Sequence, residues 1–397
     1  MKYRQIIVYL LGVIAASAQA EERDWQWHGF ASHAMVYADQ HYMGSAQPKQ
    51  WGNYLSEAGA SLSWRADANW LVSAQLLARS DGVLQGTPRW DVAAVERTLV
   101  NQDGQQLSVQ VGVLKNPYGF YNTTRDVAHT RPSIVLPTVY HDQTRNFFLS
   151  APAVAVRGEH QGVSSHWSWQ VNVLQPEVNN RNMVMFLVGP TQTGQMQARR
   201  SVVGQLAWEE SNGGWRAAWS FANMSMHYQP QPTDFAGAGS FTGAGNLTLQ
   251  SNMLSVERNL EHWTHTLEYA RARVIRDQFN VPGMAFMDQH STLEQGYLQT
   301  LWRVRHDWKL WLRYDVMYVD DRDRNGLTFA NQTGLPASMR YARDWGMGVR
   351  YEPTPAWMLS AEVHHTNGSA NLALLNNPPV TQRPQWNMLT VQAAYHF

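Results

Sequence analysis

Apolar and polar positions alternate with a period of two through most of this chain, and amphipathic helical spacing is almost absent. "WKLWLRYDVMYVD" shows it most clearly. Trp308, Leu310, Leu312, Tyr314, Val316 and Tyr318 share one face; Lys309, Trp311, Arg313, Asp315 and Met317 share the other. "WLVSAQLLARS" likewise puts Trp70, Val72, Ala74, Leu76 and Ala78 on one side. The pattern predicts about sixteen strands, at approximately 24–40, 54–66, 70–81, 90–100, 106–115, 152–161, 166–175, 199–210, 214–227, 247–258, 262–276, 293–305, 309–320, 339–351, 357–367 and 386–397. One of them, "WTHTLEYARARVIRD", alternates poorly, because Arg271 and Arg273 share parity with Leu267 and Tyr269.

The connections between these segments fall into two kinds. Tight turns such as "ADAN" (66–69), "NQDGQ" (101–105), "SNGG" (211–214), "NLEH" (259–262) and "EPTP" (352–355) use residues with turn geometry. Between them lie long stretches, including 41–53, 176–198, 228–246, 277–292, 321–338 and 368–385. Short turns at one end of each hairpin and long loops at the other are the plan of a transmembrane β-barrel, with the turns periplasmic and the loops extracellular. No linker or repeat divides residues 21–397, which read as one domain.

Composition narrows the choice. Residues 1–20 carry Lys2 and Arg4, an apolar run, and Ala18-Gln19-Ala20 before Glu21, the layout of a secretory signal peptide. Beyond them no apolar run approaches the roughly 20 residues of a membrane helix. A closed sheet is then the remaining spanning solution, since backbone groups in lipid must bond within the protein. The 31 basic residues balance the 31 acidic ones, which removes the electrostatic argument for nucleic acid, and the absence of cysteine removes disulfide and thiolate chemistry. Charged residues are scarce at 16%, against about 25% in typical soluble domains, while the 18 tryptophans are plentiful. Trp64, Trp70, Trp208, Trp215, Trp263, Trp308 and Trp357 flank the tight turns, where an aromatic girdle would meet lipid headgroups. A soluble sandwich with a Trp-rich core would leave these aromatics at its exposed ends.

The last segment, "WNMLTVQAAYHF", puts Leu389, Val391, Ala393, Tyr395 and Phe397 on one apolar face. A closing aromatic on an alternating strand resembles the signal by which Gram-negative outer-membrane barrels are recognised for assembly. Together with the strand count, it makes the chain resemble the sixteen-stranded porins. That resemblance implies an all-β antiparallel barrel in the outer membrane, assembled as a homotrimer, with the third outside loop folded into the lumen. Here the third long connection is also the longest, "KNPYGFYNTTRDVAHTRPSIVLPTVYHDQTRNFFLS" (115–150). It is similar to a set of poorly characterised porins with an "NPYGFYN…TRPS" stretch, and it departs from the acidic "PEFGG"-like loop of general-diffusion porins. Partners on this reading are the lipid bilayer with lipopolysaccharide, further copies of the chain, and small hydrophilic solutes; no cofactor is expected.

The candidate constriction combines Lys115, Arg125, Asp126, Arg131, Asp142 and Arg145 of the loop, where four cations meet two carboxylates. Parity places Arg303, Arg305, Lys309 and Arg313 with Asp315 on an inner wall facing them. Rings of Arg and Lys in a narrow lumen favour anions. The same arginines also suit bracing of the loop through carboxylate pairs, with Glu57, Glu159, Asp344 and Glu362 as further inward acids. Trp311 and the loop tyrosines raise a sugar-conducting alternative. "DRDRNG" offers Asp321, Asp323 and Asn325 as ligands of an extracellular calcium ion, although Gln332 stands where the bidentate Glu belongs. His364 and His365 are adjacent on a strand and so point to opposite faces. An outer-membrane hydrolase would need a Ser–His pair with an orienting carboxylate or amide at one rim, and no local motif provides it.

Overall fold

The computed structural model describes residues 24–42, 47–80, 88–142, 145–178, 181–188, 192–235, 244–277, 290–374 and 376–397. The expected signal peptide at 1–20 lies outside them. Seventeen strands form one antiparallel sheet: β1 (Trp25–Ala38), β2 (Trp51–Arg65), β3 (Trp70–Ser80), β4 (Arg89–Gln102), β5 (Gln105–Lys115), β6 (Ser150–Gln161), β7 (Ser165–Leu174), β8 (Gln195–Ala198), β9 (Ser201–Glu210), β10 (Trp215–Gln229), β11 (Gly245–Asn259), β12 (Trp263–Asp277), β13 (Ser291–Arg303), β14 (Trp308–Tyr318), β15 (Tyr341–Thr354), β16 (Trp357–Gly368) and β17 (Gln385–His396). Strand β17 pairs with β1, which closes the barrel. The four residues of β8 and the whole of β9 lie end to end against β10, so the seventeen strands make sixteen staves. The alternation in the sequence located each stave, with ends displaced by a few residues; β2, for example, begins at Trp51.

Outward faces near the tight turns carry aromatic pairs, three of them stacked and one tilted. Trp25 meets Trp64 at 5.1 Å, Trp263 meets Trp302 at 5.4 Å, Trp308 meets Tyr351 at 4.6 Å and Trp357 meets Tyr395 at 5.0 Å between ring centroids. These rings form the girdle expected from their position beside the turns. Above them the outward face is apolar, with Leu310, Leu312, Met347, Leu359 and Val363 exposed.

The poor alternation of β12 has a physical cause, and β10 and β11 share it. In their lower halves Trp219, Leu254, Val256, Leu267 and Tyr269 face out and Ser220, Ser255, Glu257, Thr266 and Glu268 face in. In their upper halves the assignment reverses. Asn223, Gln250, Asn252, Arg271 and Arg273 face out, while Met224, Met226, Leu247, Leu249, Ala270, Ala272 and Val274 are buried inside. Acyl chains demand an apolar exterior below this level. Above it the strands stand in water and their inner faces pack against loops, so polarity inverts while the two-residue period continues.

The seam between first and last strands closes on Phe397. Its N–H donates to the Gly29 carbonyl at 3.0 Å and its carbonyl accepts the Gly29 N–H at 3.2 Å. The ring lies where a Cβ on residue 29 would stand, 2.2 Å away, and meets Trp27 edge-on at 5.2 Å. Deleting Phe397 removes both backbone bonds and the ring, leaving two edges partly unpaired. A several-fold loss of heat-resistant folded barrel on semi-native gels is the expected result; an undiminished folded band would contradict it.

Candidate functional site

The segment between β5 and β6 folds into the barrel because its side chains match the inverted inner wall. Tyr118, Tyr121, Leu136, Val139, Tyr140, Phe147 and Phe148 are buried in one apolar cluster with Met224, Met226, Met253, Ala270, Ala272, Leu293, Tyr297 and Met317. Burial on this scale supplies the drive, at roughly 25 cal/mol per Å² of apolar surface. Two asparagines tie the ends of the segment together. Asn122 donates to the carbonyls of Asn116 (2.9 Å) and Phe148 (2.7 Å), and Asn116 donates to Phe148 at 3.1 Å.

Polar clasps fix the height of the segment. Glu268 accepts from Tyr140, Tyr297 (2.8 Å), Ser255 (2.6 Å) and the Phe120 N–H (2.9 Å). Asp315 takes both the N–H (3.1 Å) and hydroxyl (2.7 Å) of Thr138. Glu362 receives the N–H groups of Ile134 and Val135, and Arg313 donates to Ser133 (2.7 Å) and the Val135 carbonyl (3.0 Å). Arg350 holds the carbonyls of His129 and Arg131 from below.

The charged residues of the loop converge on the opposite wall. Glu57 of β2 accepts from Arg145 at 2.9 Å and Arg79 at 3.3 Å, and stands 3.4 Å from Arg131. Arg145 also pairs with Asp126, which binds Lys115; Lys115 reaches Asp91 of β4 at 2.7 Å. Arg125 pairs with Asp142 and donates to the Tyr140 carbonyl at 2.7 Å. Arg125, Arg131, Arg145 and Arg313 are each at most 2% exposed. In this arrangement they brace the loop through carboxylates, and their cationic groups do not face open water.

Three of the expected wall residues lie elsewhere. Arg303 clasps the neighbouring turn, donating to Thr264 at 2.7 Å and to the carbonyls of Leu260, Glu261 and Trp263. Arg305 is exposed in the turn before β14. Lys309 pairs with Glu352 at 2.8 Å, below the loop. Parity puts Arg303 and Lys309 on the inner face, but their height on the hairpin keeps them from the constriction, and Arg305 lies in the turn on neither face.

Trp311 is 5% exposed and packs against His364 and Arg313, so it presents little ring surface to a solute. His364 points inward between Asp344 (2.7 Å) and Glu362 (3.4 Å); His365 points outward to Asn387 (2.8 Å). In the 321–326 stretch, Asp321 pairs with Arg271, Asp323 accepts the N–H groups of Thr328 and Phe329, and Asn325 accepts that of Leu327. Their oxygens turn to different protein partners, and among the described residues no group of three or more His, Asp or Glu side chains is arranged to hold a metal.

Arg79, Asp91, Glu268, Arg350 and Tyr140 emerge only from the fold. Arg79 had a usable signal, since its parity puts it on the inner face directly across from Glu57 in the β2–β3 register. Tyr140 and Glu268 are 128 positions apart, and nothing local to either announces the other.

Two loop histidines are kept neutral. Burial, then the neighbouring Arg125, lowers His141 to about 4; its ring stacks on Phe148 at 5.2 Å. Burial, with His396 and Arg350 adding to it, lowers His129 to about 4. Burial opposes ionisation of Asp142, but Arg125 and Arg79 outweigh it and hold the carboxyl below its ordinary range. Beside His141 and Asp142 the loop leaves a cavity of about 50 Å³, lined also by Tyr42, Thr138, Gln295 and Asn371. It has room for a few waters. On the turn side the lumen opens into a vestibule whose inward residues include Ser61, Ser73, Gln110, Arg157, Gln170 and Arg216, all partly exposed.

A closed sixteen-stave barrel, an outward apolar band and an inward-folded third loop together define a porin-type barrel architecture. Solved structures agree. An anion-selective porin from Comamonas acidovorans superposes with a TM-score of 0.58 at 11% identity, covering 94% of this chain and 99% of that one. The outer membrane channel DcaP of Acinetobacter baumannii gives 0.56 at 10% identity over 96% and 100% of the two chains. OmpT, an outer membrane protein of Vibrio cholerae, gives 0.55 at 9% over 96% and 100%. Identities this low establish the fold, which is that of Gram-negative outer-membrane porins. No protein-family model matches the sequence, and no curated protein does.

Proposed function

We propose that this chain is an outer-membrane channel through which small hydrophilic solutes diffuse passively, with a preference for anions. The observation that carries the reading is the clasped segment 115–150: a barrel polar inside at its turn end, narrowed at mid-height by a loop fixed to both walls. Such a device passes solutes by size and charge and performs no chemical step. Anion preference is supported by Arg157, Arg216 and Lys309 in or beside the vestibule: they pair with Glu159, Glu257 and Glu352, and in each pair the cation is the more exposed partner, at 43%, 32% and 24% against 25%, 6% and 22%. Fixed cations in a water-filled, low-dielectric cylinder raise the local anion concentration. The structural neighbour from Comamonas acidovorans, described as anion-selective, points the same way.

Zero-current potentials across a planar bilayer under a potassium chloride gradient test this. The expected sign is that of chloride crossing faster, reduced or reversed in an Arg157→Glu/Arg216→Glu variant. A cation-preferring sign in the unaltered protein would remove the anion preference, and a barrel that inserts but passes no current would remove the channel reading altogether.

A further inference from the structure

Four separate elements meet the inward-folded segment on the side away from the vestibule. Tyr42 follows β1, Asn371 follows β16, and Gln295 and Met317 stand in the outer halves of β13 and β14. Together with His141 and Asp142 they line the cavity of about 50 Å³. The Tyr42 ring is held by packing on Trp386 at 5.5 Å and on Tyr54 at 6.0 Å between centroids.

Three oxygen atoms on this lining lack a partner among the described residues. Tyr42, 9% exposed, makes no hydrogen bond through its hydroxyl. Gln295, 1% exposed, spends Nε2 on the Thr138 carbonyl at 2.8 Å and leaves Oε1 unused. Asp142 gives Oδ1 to Arg125 and keeps Oδ2. Buried polar atoms are ordinarily satisfied, so three such oxygens on one cavity call for a donor. The charge around them is acidic on the Tyr42 side. Burial, then Asp142, Asp344 and Asp315 against Arg313, push the Tyr42 hydroxyl far above its ordinary value. Arg79, Arg131 and Arg145 meet instead on Glu57.

Water can satisfy these atoms, but it leaves the apolar half of the lining, Leu136, Pro137, Met317 and Ala370, without a use. A carboxylate or phosphate would face Asp142, and a sugar ring exceeds the volume. An alkylammonium head is a compact cation with three N–H donors and no acceptor, and its methylenes suit the apolar wall. We propose that this cavity binds the primary ammonium group of a small organic amine, with Asp142, Gln295 and Tyr42 accepting its hydrogens. The inference rests on the channel reading, within which it names a solute class held on the outer side of the loop, apart from the cations of the vestibule.

Saturation-transfer NMR on the detergent-solubilised barrel near neutral pH tests it, with protein-free micelles as the blank. The probes are propylammonium, propionate and 1-propanol, alike in size and different in charge. The expected result is saturable transfer to propylammonium alone, with affinity roughly tenfold weaker in Tyr42→Phe, as loss of one hydrogen bond to a charged group gives. Gln295→Met, similar in length, should weaken it comparably and keeps the test decisive if Tyr42→Phe disturbs the Trp386 stack. Equal transfer to propionate or propanol, unchanged affinity in either folded variant, or displacement by an equal concentration of potassium would each overturn the assignment. The readout needs no current. A barrel that binds the amine and conducts nothing would sink the channel reading alone, and one that conducts but binds no amine would sink this site alone.

Discussion

Glu57→Ala is expected to raise single-channel conductance and lower thermal stability together. Glu57 is 2% exposed and is the carboxylate on which Arg79, Arg131 and Arg145 meet. Without it three guanidinium groups share a dry site with too little countercharge. Breaking a buried pair by removing one partner costs about 3–5 kcal/mol. The loop can escape that cost by moving Arg131 and Arg145 into water, which widens the passage. Glu57→Gln keeps hydrogen-bonding oxygen and volume and should lie between the two. Conductance unchanged in Glu57→Ala would mean that the apolar packing around Tyr140 and Phe148 alone holds the constriction.

Acid is expected to loosen the same loop, over a window set by its histidines. His141 and His129 titrate near 4 when packed, against an ordinary imidazole value of 6.5. Above 6.5 both are neutral whether the loop is docked or released, and there is no penalty. As pH falls through 6.5 the released loop takes up protons that the docked loop refuses, so docking weakens progressively until about pH 4. For buried His141 the full displacement amounts to about 3 kcal/mol; half-exposed His129 contributes less, because water screens its neighbours. Asp142, whose carboxyl sits below its ordinary range, adds its loss at still lower pH. Protease cleavage within 115–150, or channel noise, should therefore increase between pH 6.5 and 4. His141→Asn/His129→Gln should flatten the response; Asn suits residue 141 because its φ of 48° is in the left-handed region. An identical acid response in the double variant would place the sensor elsewhere.

Much of the barrel was readable from the chain because a stave is a local object. Its period, bounding turns and girdle tryptophans all lie within some fifteen residues, and the inward parity of Arg313 and Asp315 follows from the same count. The one segment that read badly, 262–276, did so because it crosses from lipid to water. A reading that assumes one solvent along the whole strand assigns Arg271 to an impossible face. The interior resisted for a different reason. Whether Arg131 lines a hole or braces a loop depends on Glu57, and whether Lys309 opposes the loop depends on height within the barrel. Both are set by how a 34-residue excursion (116–149) lands on walls far off in the chain, as the Arg131–Glu57, Tyr118–Ser251 and Thr138–Asp315 contacts show. Charge type and parity survive that folding; partnership does not.

The reversal of polarity partway up β10, β11 and β12 also sets the elevation at which the molecule floats. Sinking by one pair of residues would drag Asn223, Asn252 and Arg271 among hydrocarbon tails, and rising by one would bare Leu254 and Tyr269 to water. Either displacement is opposed from within the chain itself. The mouth of the cylinder is thereby held at a set height above the bilayer.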